Sequence, residues 1–348
     1  MLGYLKGSIL FAVICLAAAC GFGWYQAHTV AGALAALWSV SILAVLEVSL
    51  SFDNAVVNAT VLQDMDVVWR RRFLTWGMVI AVYGMFILFP LLIVAIAAKV
   101  SPIAAVHLSF SDPHRYETII SSAHIPIAGF GGAFLLMVGL KFFFDEDKEV
   151  HWIAAVERSL TRFSVLPSIE MAFVLLLVWA ISLELPAAQA YGFIASAVLG
   201  IASFIAVDAL GVALEAREER LKAAGALVRS GLGGFIYLNV LDASFSFDGV
   251  IGAFAISNNM VIIALGLSIG AMFVRSLTVM LVEKGTLAEF RFLEHGAFWA
   301  IVALGGTMLV SALVEIPEAF TGLIGAVSIF LSIVWSLRHR ASDPVQVC

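Results

Sequence analysis

The fold of this chain is decided by the stretch Glu47-Val48-Ser49-Leu50-Ser51-Phe52-Asp53-Asn54, which lies inside an apolar run at about residues 33–62. About 20 consecutive apolar residues are enough for a helix to cross the hydrocarbon core of a membrane. A carboxylate at the centre of such a helix costs at least ~2.5 kcal/mol, so it is retained where it faces the protein interior or a wet cavity. The stretch therefore predicts a membrane helix that carries a polar site.

The rest of the chain is equally apolar. Its 348 residues are 62% hydrophobic and 13% charged, whereas a soluble domain carries roughly 25% charged residues. We predict an all-α polytopic membrane protein with about ten transmembrane helices, forming a single domain over residues 1–348. The apolar segments lie at about 8–24, 33–62, 73–98, 125–144, 166–185, 190–214, 231–257, 259–282, 297–314 and 319–337.

The basic residues predict the orientation, because Lys and Arg concentrate in cytoplasmic loops. If Lys6 is cytoplasmic, sixteen of the 19 Lys and Arg residues fall on the cytoplasmic side, Lys99 and Arg115 fall outside, and Arg275 lies within the eighth segment, where it snorkels or pairs with an acid. We expect a multi-pass protein of the bacterial inner membrane with both termini in the cytoplasm. Lys6 and the apolar run that follows it also resemble a signal peptide, whose cleavage would leave the other spans oriented as before.

An echo of the first stretch indicates an internal repeat. The seventh segment contains Asp242-Ala243-Ser244-Phe245-Ser246-Phe247-Asp248-Gly249, which matches the first stretch without gaps at both acids, both serines and one phenylalanine. Gly131-Gly132 and Gly305-Gly306 form a second echo, each with a leucine three residues after the second glycine. We predict repeats at 33–144 and 231–314, covering helices 2-3-4 and 7-8-9. Their starts are five crossings apart, so the repeats have inverted topology, and the site is expected at the midplane.

The acids predict a metal-cation site. Glu47, Asp53, Asp242 and Asp248 would repel one another strongly unless they share a cation or protons. Oxygen donors of this kind suit hard divalent cations, and Mg²⁺, Ca²⁺ and Mn²⁺ are the candidates. Asn54 is the fifth predicted ligand. Secondary candidates are Ser51, Asn58, Asn239, Ser246 and Asp208.

Helical spacing leaves one question open. Glu47, Ser51, Asn54 and Asn58 form one polar stripe, whereas Asp53 lies about 120° away around an unbroken helix. Either the motif helices unwind near the serines, or each has two polar faces. Asp208 has no counterpart in the repeat and is either a proton-relay group or a helix-end acid.

The two motifs, with Trp76-Gly77 and Gly131-Gly132, resemble those of TerC-type membrane proteins. That family is named for tellurium resistance and grouped with LysE-like exporters, and the resemblance is to its bacterial branch catalogued as a domain of unknown function. It implies metal-ion efflux, with Mn²⁺ the best-supported substrate and Ca²⁺ also plausible. It also implies that the acids and Asn54 act as ligands. One departure is that Asp248 is followed by Gly249, where the family often has serine.

Four functions compete. The first is a secondary transporter that exports a divalent cation by proton or cation antiport, with the metal ion and the bilayer as partners and no prosthetic group. The second, an intramembrane aspartyl protease, is disfavoured because no glycine precedes Asp53 or Asp248, so we do not expect an enzyme. The third is an exporter of amino acids or other small solutes, for which the motif helices offer no cation. The fourth is a scaffold for insertion or metallation of exported proteins. The net charge of −6 gives no reason to expect nucleic acid, and the oligomeric state stays open.

Overall fold

The computed structural model describes residues 2–77, 79–145, 150–163, 168–223, 231–284, 290–314 and 316–342. Nearly all of these residues are helical. The α-helices are α1 Leu2–Ala27, α2 Val30–Leu50, α3 Phe52–Asp64, α4 Val67–Arg72, α5 Phe89–Ala97, α6 Pro102–Ser111, α7 Pro113–Ser122, α8 His124–Phe143, α9 Ala154–Phe163, α10 Ile169–Glu184, α11 Ala187–Ala223, α12 Leu232–Ile256, α13 Met260–Glu283, α14 Leu293–Ser311 and α15 Glu318–Ser342. Two π-helical segments, Phe73–Gly77 and Ile80–Leu88, lie between α4 and α5.

Eight helical stretches within the described residues are long and apolar enough to cross a membrane: Tyr4–Ala27, Val30–Leu50, Val67–Ile96, His124–Phe143, Ala187–Leu221, Met260–Glu283, Leu293–Ser311 and Phe320–His339. Two other predicted spans, 166–185 and 231–257, are also helical, as α10 and α12. The α10 helix has 16 residues, fewer than the roughly 20 that a span needs. The α12 helix has 25 and carries the second acidic motif. The polytopic all-α membrane fold is confirmed, and the number ten stays a prediction.

The two acidic motifs differ in backbone structure. In the first, α2 ends at Leu50, Ser51 has non-helical dihedral angles (φ −101°, ψ 16°), and α3 begins at Phe52. In the second, α12 runs without a break from Leu232 to Ile256. The break at Ser51 places Asp53 in the first turn of a new helix, where the partial positive charge of the helix N-terminus favours a carboxylate.

The glycine echo forms a close helix–helix contact between α8 and α14. A Cβ atom at Gly132 would lie 2.9 Å from the carbonyl oxygen of Gly305, and a Cβ atom at Gly305 would lie 3.0 Å from that of Gly132. Leu309 and Leu136 close the contact in the same reciprocal way. The contact pairs Gly132 with Gly305. The alignment of the two sequence motifs instead pairs Gly131 with Gly305 and Gly132 with Gly306. Gly306 faces open space, with nothing within 4 Å of a Cβ atom there.

The two helices run antiparallel, because Gly132 meets Gly305 while Phe142, further along α8, stacks on Phe298, further back along α14 (ring centroids 3.9 Å apart). The repeat boundaries at 33–144 and 231–314 stay predictions.

Candidate cation site

A cavity of about 40 Å³ lies at the junction of α2, α3, α12, α13 and the π-helical segments. A buried water needs about 10–15 Å³ of such space, so the cavity holds about three or four waters or one ion with part of its hydration shell. Its lining is Glu47, Ser51, Asn54, Asn58, Phe73, Leu74, Gly77, Phe86, Asp242, Ser246, Ala271, Val274, Arg275 and Thr278.

Glu47 reaches the cavity from the last turn of α2 and is 5% exposed. Its Oε1 accepts a hydrogen bond of 2.8 Å from the hydroxyl of Ser51, the residue at the helix break. Two glycines make room for this side chain. A Cβ atom at Gly270 of α13 would overlap the side chain of Glu47, and one at Gly249 of α12 would lie 3.1 Å from its Oε2. The missing side chain at Gly249 therefore has a steric consequence: it lets the carboxylate of one motif approach the backbone of the other.

Asp242 faces Glu47 across the cavity from α12. Its Oδ1 accepts a hydrogen bond of 2.8 Å from Nδ2 of Asn58 on α3. The side-chain oxygens of Asn54 and Asn58 are buried and accept no hydrogen bond from the described residues. A buried acceptor without a partner costs about 1–3 kcal/mol. The cavity therefore combines two carboxylates with two amide oxygens that need a donor or a cation.

Asp53 lies elsewhere. It is 5% exposed, but it does not line the cavity. Its Oδ1 accepts from the backbone N–H of Asn54 at 3.0 Å, and its Oδ2 is 3.6 Å from where a Cβ atom of Gly325 on α15 would be. Although the helix breaks at Ser51, Asp53 still points away from the face that carries Glu47 and Asn54, as helical spacing predicted. It faces α15 instead.

The predicted ligands thus separate into groups. Glu47, Asn54 and Asp242 share the cavity, Asp53 does not, and the side chain of Asp248 lies outside the described part of the chain. That any of them binds a metal stays a prediction.

The secondary candidates separate in the same way. Ser51, Asn58 and Ser246 line the cavity, and the hydroxyl of Ser246 donates to the backbone carbonyl of Asp242 at 2.8 Å. Asn239 instead donates to the carbonyl of Phe235 in its own helix at 2.6 Å. Asp208 pairs with Lys141 in a separate cavity of about 350 Å³.

Arg275 is a cavity residue that sequence reasoning did not assign to the site. It extends from α13, and its Nε donates a hydrogen bond to the backbone carbonyl of Leu74 in the first π-helical segment. No ion pair joins it to a described carboxylate. A signal was present in the sequence, because an arginine inside an apolar span is itself a functional-site hypothesis. The predicted site was limited to the two motif helices, and Arg275 lies on the helix that follows the second of them.

A second buried polar cluster surrounds Glu157, which is fully buried. Its carboxylate accepts from the backbone N–H groups of Trp152 and Ile153, both at 3.1 Å, and from Nε1 of Trp299 at 3.2 Å. Nε2 of His295 is 3.6 Å from its Oε2. These contacts tie the start of α9 to α14. We assign the cluster to stability, since it caps the start of α9 and joins that helix to α14.

The donor set of the cavity fits a hard cation. Within the described residues, no group of three or more His, Cys, Asp and Glu side chains is arranged to hold a metal ion. The cavity offers two carboxylates, two amide oxygens and two serine hydroxyls instead. Oxygen ligands of these kinds are those preferred by Ca²⁺ and Mg²⁺, and Mn²⁺ shares that preference.

Comparison with known proteins gives one match. A family model described as "Protein of unknown function (DUF475)" matches residues 52–342 and so covers most of the chain, including the cavity residues of α3, α12 and α13. No curated protein and no solved structure matches the chain.

Proposed function

Because this chain belongs to the family of proteins of unknown function DUF475, whose description assigns no activity, we propose a function from its cavity: secondary transport that exports a divalent metal cation. Mn²⁺ is the first candidate substrate and Ca²⁺ the second. The observation that carries the proposal is the meeting of Glu47 and Asp242, from separate helices of a membrane protein, beside two amide oxygens without donors. The resemblance to TerC-type proteins supports the same substrate class.

In the proposed mechanism the cation binds between the carboxylates of Glu47 and Asp242, with the side-chain oxygens of Asn54 and Asn58 completing its shell. When the cation leaves, protons replace it, because two carboxylates this close repel each other. This exchange makes the protein a proton antiporter that needs no nucleotide and no prosthetic group. The break at Ser51 gives α2 and α3 a joint at which they can tilt during alternating access. We place the protein in the bacterial inner membrane with both termini in the cytoplasm.

Export of a zwitterion such as an amino acid is the second candidate, and Arg275 is the observation that favours it. The motif helices lack a cation for a substrate carboxylate, but α13 brings Arg275 to the same cavity. An amino acid would place its amine at Glu47 and Asp242 and its carboxylate at Arg275. The cavity volume of about 40 Å³ favours an ion over an amino acid, so we rank this function second. A scaffold that transports nothing is the outcome if both fail.

The test is transport by the purified protein in liposomes with an entrapped Mn²⁺-sensitive dye and an imposed pH gradient. Wild type, Glu47→Gln and Asp242→Asn are compared with Glu184→Gln, which removes an exposed carboxylate at the end of α10. We expect proton-driven Mn²⁺ flux in wild type and Glu184→Gln, and none in the two cavity variants. Absence of Mn²⁺, Ca²⁺ and Mg²⁺ flux in wild type would rule out the proposal, and labelled amino acids would then be tested in the same liposomes.

A further inference from the structure

Arg275 is a charged residue of the cavity that the proposed mechanism leaves unused. We propose that Arg275 is the built-in counter-ion of the site: a tethered cation that competes with the transported ion for Glu47 and Asp242. The inference rests on the proposed function for the identity of the transported ion, and on the structure for the placement of the charges.

Helix α13 places Arg275 at the same cavity as the two acids. Gly270 of α13 packs directly against the side chain of Glu47. Arg275 follows five residues later on the same helix, a displacement of about 7.5 Å along the axis at 1.5 Å per residue. Ala271, Val274 and Thr278 line the cavity from the same face of α13. Arg275 therefore lines the cavity of the acids from a position further toward the C-terminal end of α13. Its long side chain is able to cover that displacement along the helix.

The positive charge of Arg275 needs a negative partner. Among the described residues, the guanidinium donates to the carbonyl of Leu74, a neutral group, and no ion pair joins it to a described carboxylate. An arginine inside a membrane span is costly unless its charge is balanced. Among the described residues, the carboxylates that line the same cavity are Glu47 and Asp242, so they are the described groups available to balance it. A guanidinium has five N–H donors, and the bond to Leu74 uses one of them.

Arg275 and the transported cation compete for the same two carboxylates. With both carboxylates ionised, the two acids and Arg275 sum to one negative charge, which a divalent cation overcompensates. Binding of the divalent ion therefore repels the guanidinium, and departure of the ion favours its return to the acids. The anchor at Leu74 suits such a group, since it lies in a π-helical segment, a structure found frequently at functional sites. The consequence is that Arg275 keeps the affinity for the cation low enough for release.

The first experiment measures Mn²⁺ binding to the purified full-length protein by titration calorimetry. Arg275→Gln is compared with wild type and with Lys284→Gln, which removes an exposed positive charge at the end of the same helix. We expect Arg275→Gln to bind Mn²⁺ about tenfold more tightly or better, through loss of like-charge repulsion, and Lys284→Gln to match wild type. Unchanged or weaker binding of Mn²⁺ by Arg275→Gln would overturn the inference.

The second experiment does not depend on metal binding. The thermal stabilities of wild type, Arg275→Gln, Glu47→Gln and the double variant form a cycle. If Arg275 balances the charge of Glu47, the double variant is expected to lose less stability than the two single variants lose together. Once one charge of the pair is removed, removing the other costs little. Additive effects would overturn the inference. If wild type bound no divalent cation but the cycle showed this coupling, the proposed function would fail while the charge pairing stood.

Discussion

Asn58 and Asp242, 184 residues apart in sequence, are joined by a hydrogen bond of 2.8 Å between Nδ2 and Oδ1. The bond connects α3 to α12, the helices that carry the end of the first motif and the whole of the second. It fixes the orientation of the amide, so that its oxygen is left without a donor among the described residues. One contact therefore holds the two motifs together and presents an oxygen ligand to whatever the cavity binds.

Replacing this amide by a carboxylate of the same shape tests the cation site. Asn58→Asp loses the donor to Asp242 and places a third acid in the cavity, so the empty protein is expected to be destabilised by like-charge repulsion. A bound divalent cation relieves that repulsion. We expect a lower melting temperature without metal and a larger rise on adding Mn²⁺ or Ca²⁺ than in wild type, measured by thermal unfolding in detergent. An equal metal-induced rise in both proteins would contradict the cation site.

The contact between α8 and α14 makes a prediction that separates two neighbouring glycines. Gly305→Ala would place a Cβ atom 2.8 Å from the backbone nitrogen of Leu136, and we expect it to destabilise the protein by about 1–3 kcal/mol, the usual cost of overpacking. Gly306→Ala meets nothing within 4 Å, so it is expected to be neutral or to stabilise the helix by up to about 1 kcal/mol. Thermal unfolding of the two variants checks the difference. Equal destabilisation by both would show that the helices pack in another register.

The sequence was sufficient for the membrane fold, because the length and apolarity of the helices are properties of the chain itself. It left open whether the motif helices unwind near the serines or carry two polar faces, since Asp53 did not fit the polar stripe of Glu47, Ser51 and Asn54 on one helix. It did not show that the first motif breaks while α12 continues through the second. Both motifs have the same serine spacing and neither contains proline, so packing against neighbouring helices decides the difference.

The composition of the site was predictable only in part. Asn54 and Asn58 shared a stripe with Glu47, and the structure places all three in one cavity. The separation of Asp53 depends on α15, whose Gly325 makes room for it. The arrival of Arg275 depends on how α13 packs against α2 and the π-helical segments. Such contacts join residues more than 200 positions apart, and no local pattern encodes them.

The buried carboxylate of Glu157 predicts a stability effect remote from the cavity. Glu157→Gln exchanges a carboxylate for an amide with one accepting oxygen, so its NH₂ cannot accept on one side of the cluster, where Trp152 donates to Oε2 and Ile153 and Trp299 donate to Oε1. Hydrogen bonds to charged groups contribute about 1.5–3 kcal/mol, so we expect a loss of that order. Amide hydrogen exchange at Trp152 and Ile153 is expected to quicken. Glu184→Gln, an exposed change, serves as the control, and unchanged exchange in Glu157→Gln would show that these bonds do not hold the segment.

Gly249 offers the sharpest test of how the two motifs divide the cavity. A Cβ atom there would lie 3.1 Å from Oε2 of Glu47, a distance that a small shift of the flexible carboxylate relieves. Gly249→Ser adds a hydroxyl beside that oxygen, as in the resembling family, so we expect Mn²⁺ binding to be retained or tightened. Gly249→Val adds bulk without a donor and displaces the carboxylate, so binding is expected to weaken.

Titration calorimetry with Mn²⁺ and Ca²⁺ measures both changes at Gly249. Gly211→Val is the matched control, because nothing lies within 4 Å of a Cβ atom at Gly211 on α11. Equal binding by Gly249→Ser, Gly249→Val and wild type would mean that Glu47 does not hold the ion where it approaches Gly249. If the serine variant changed the ratio of Mn²⁺ to Ca²⁺ affinity and the control did not, position 249 would be a determinant of ion selectivity, because a single added oxygen ligand would have altered the coordination of the ion.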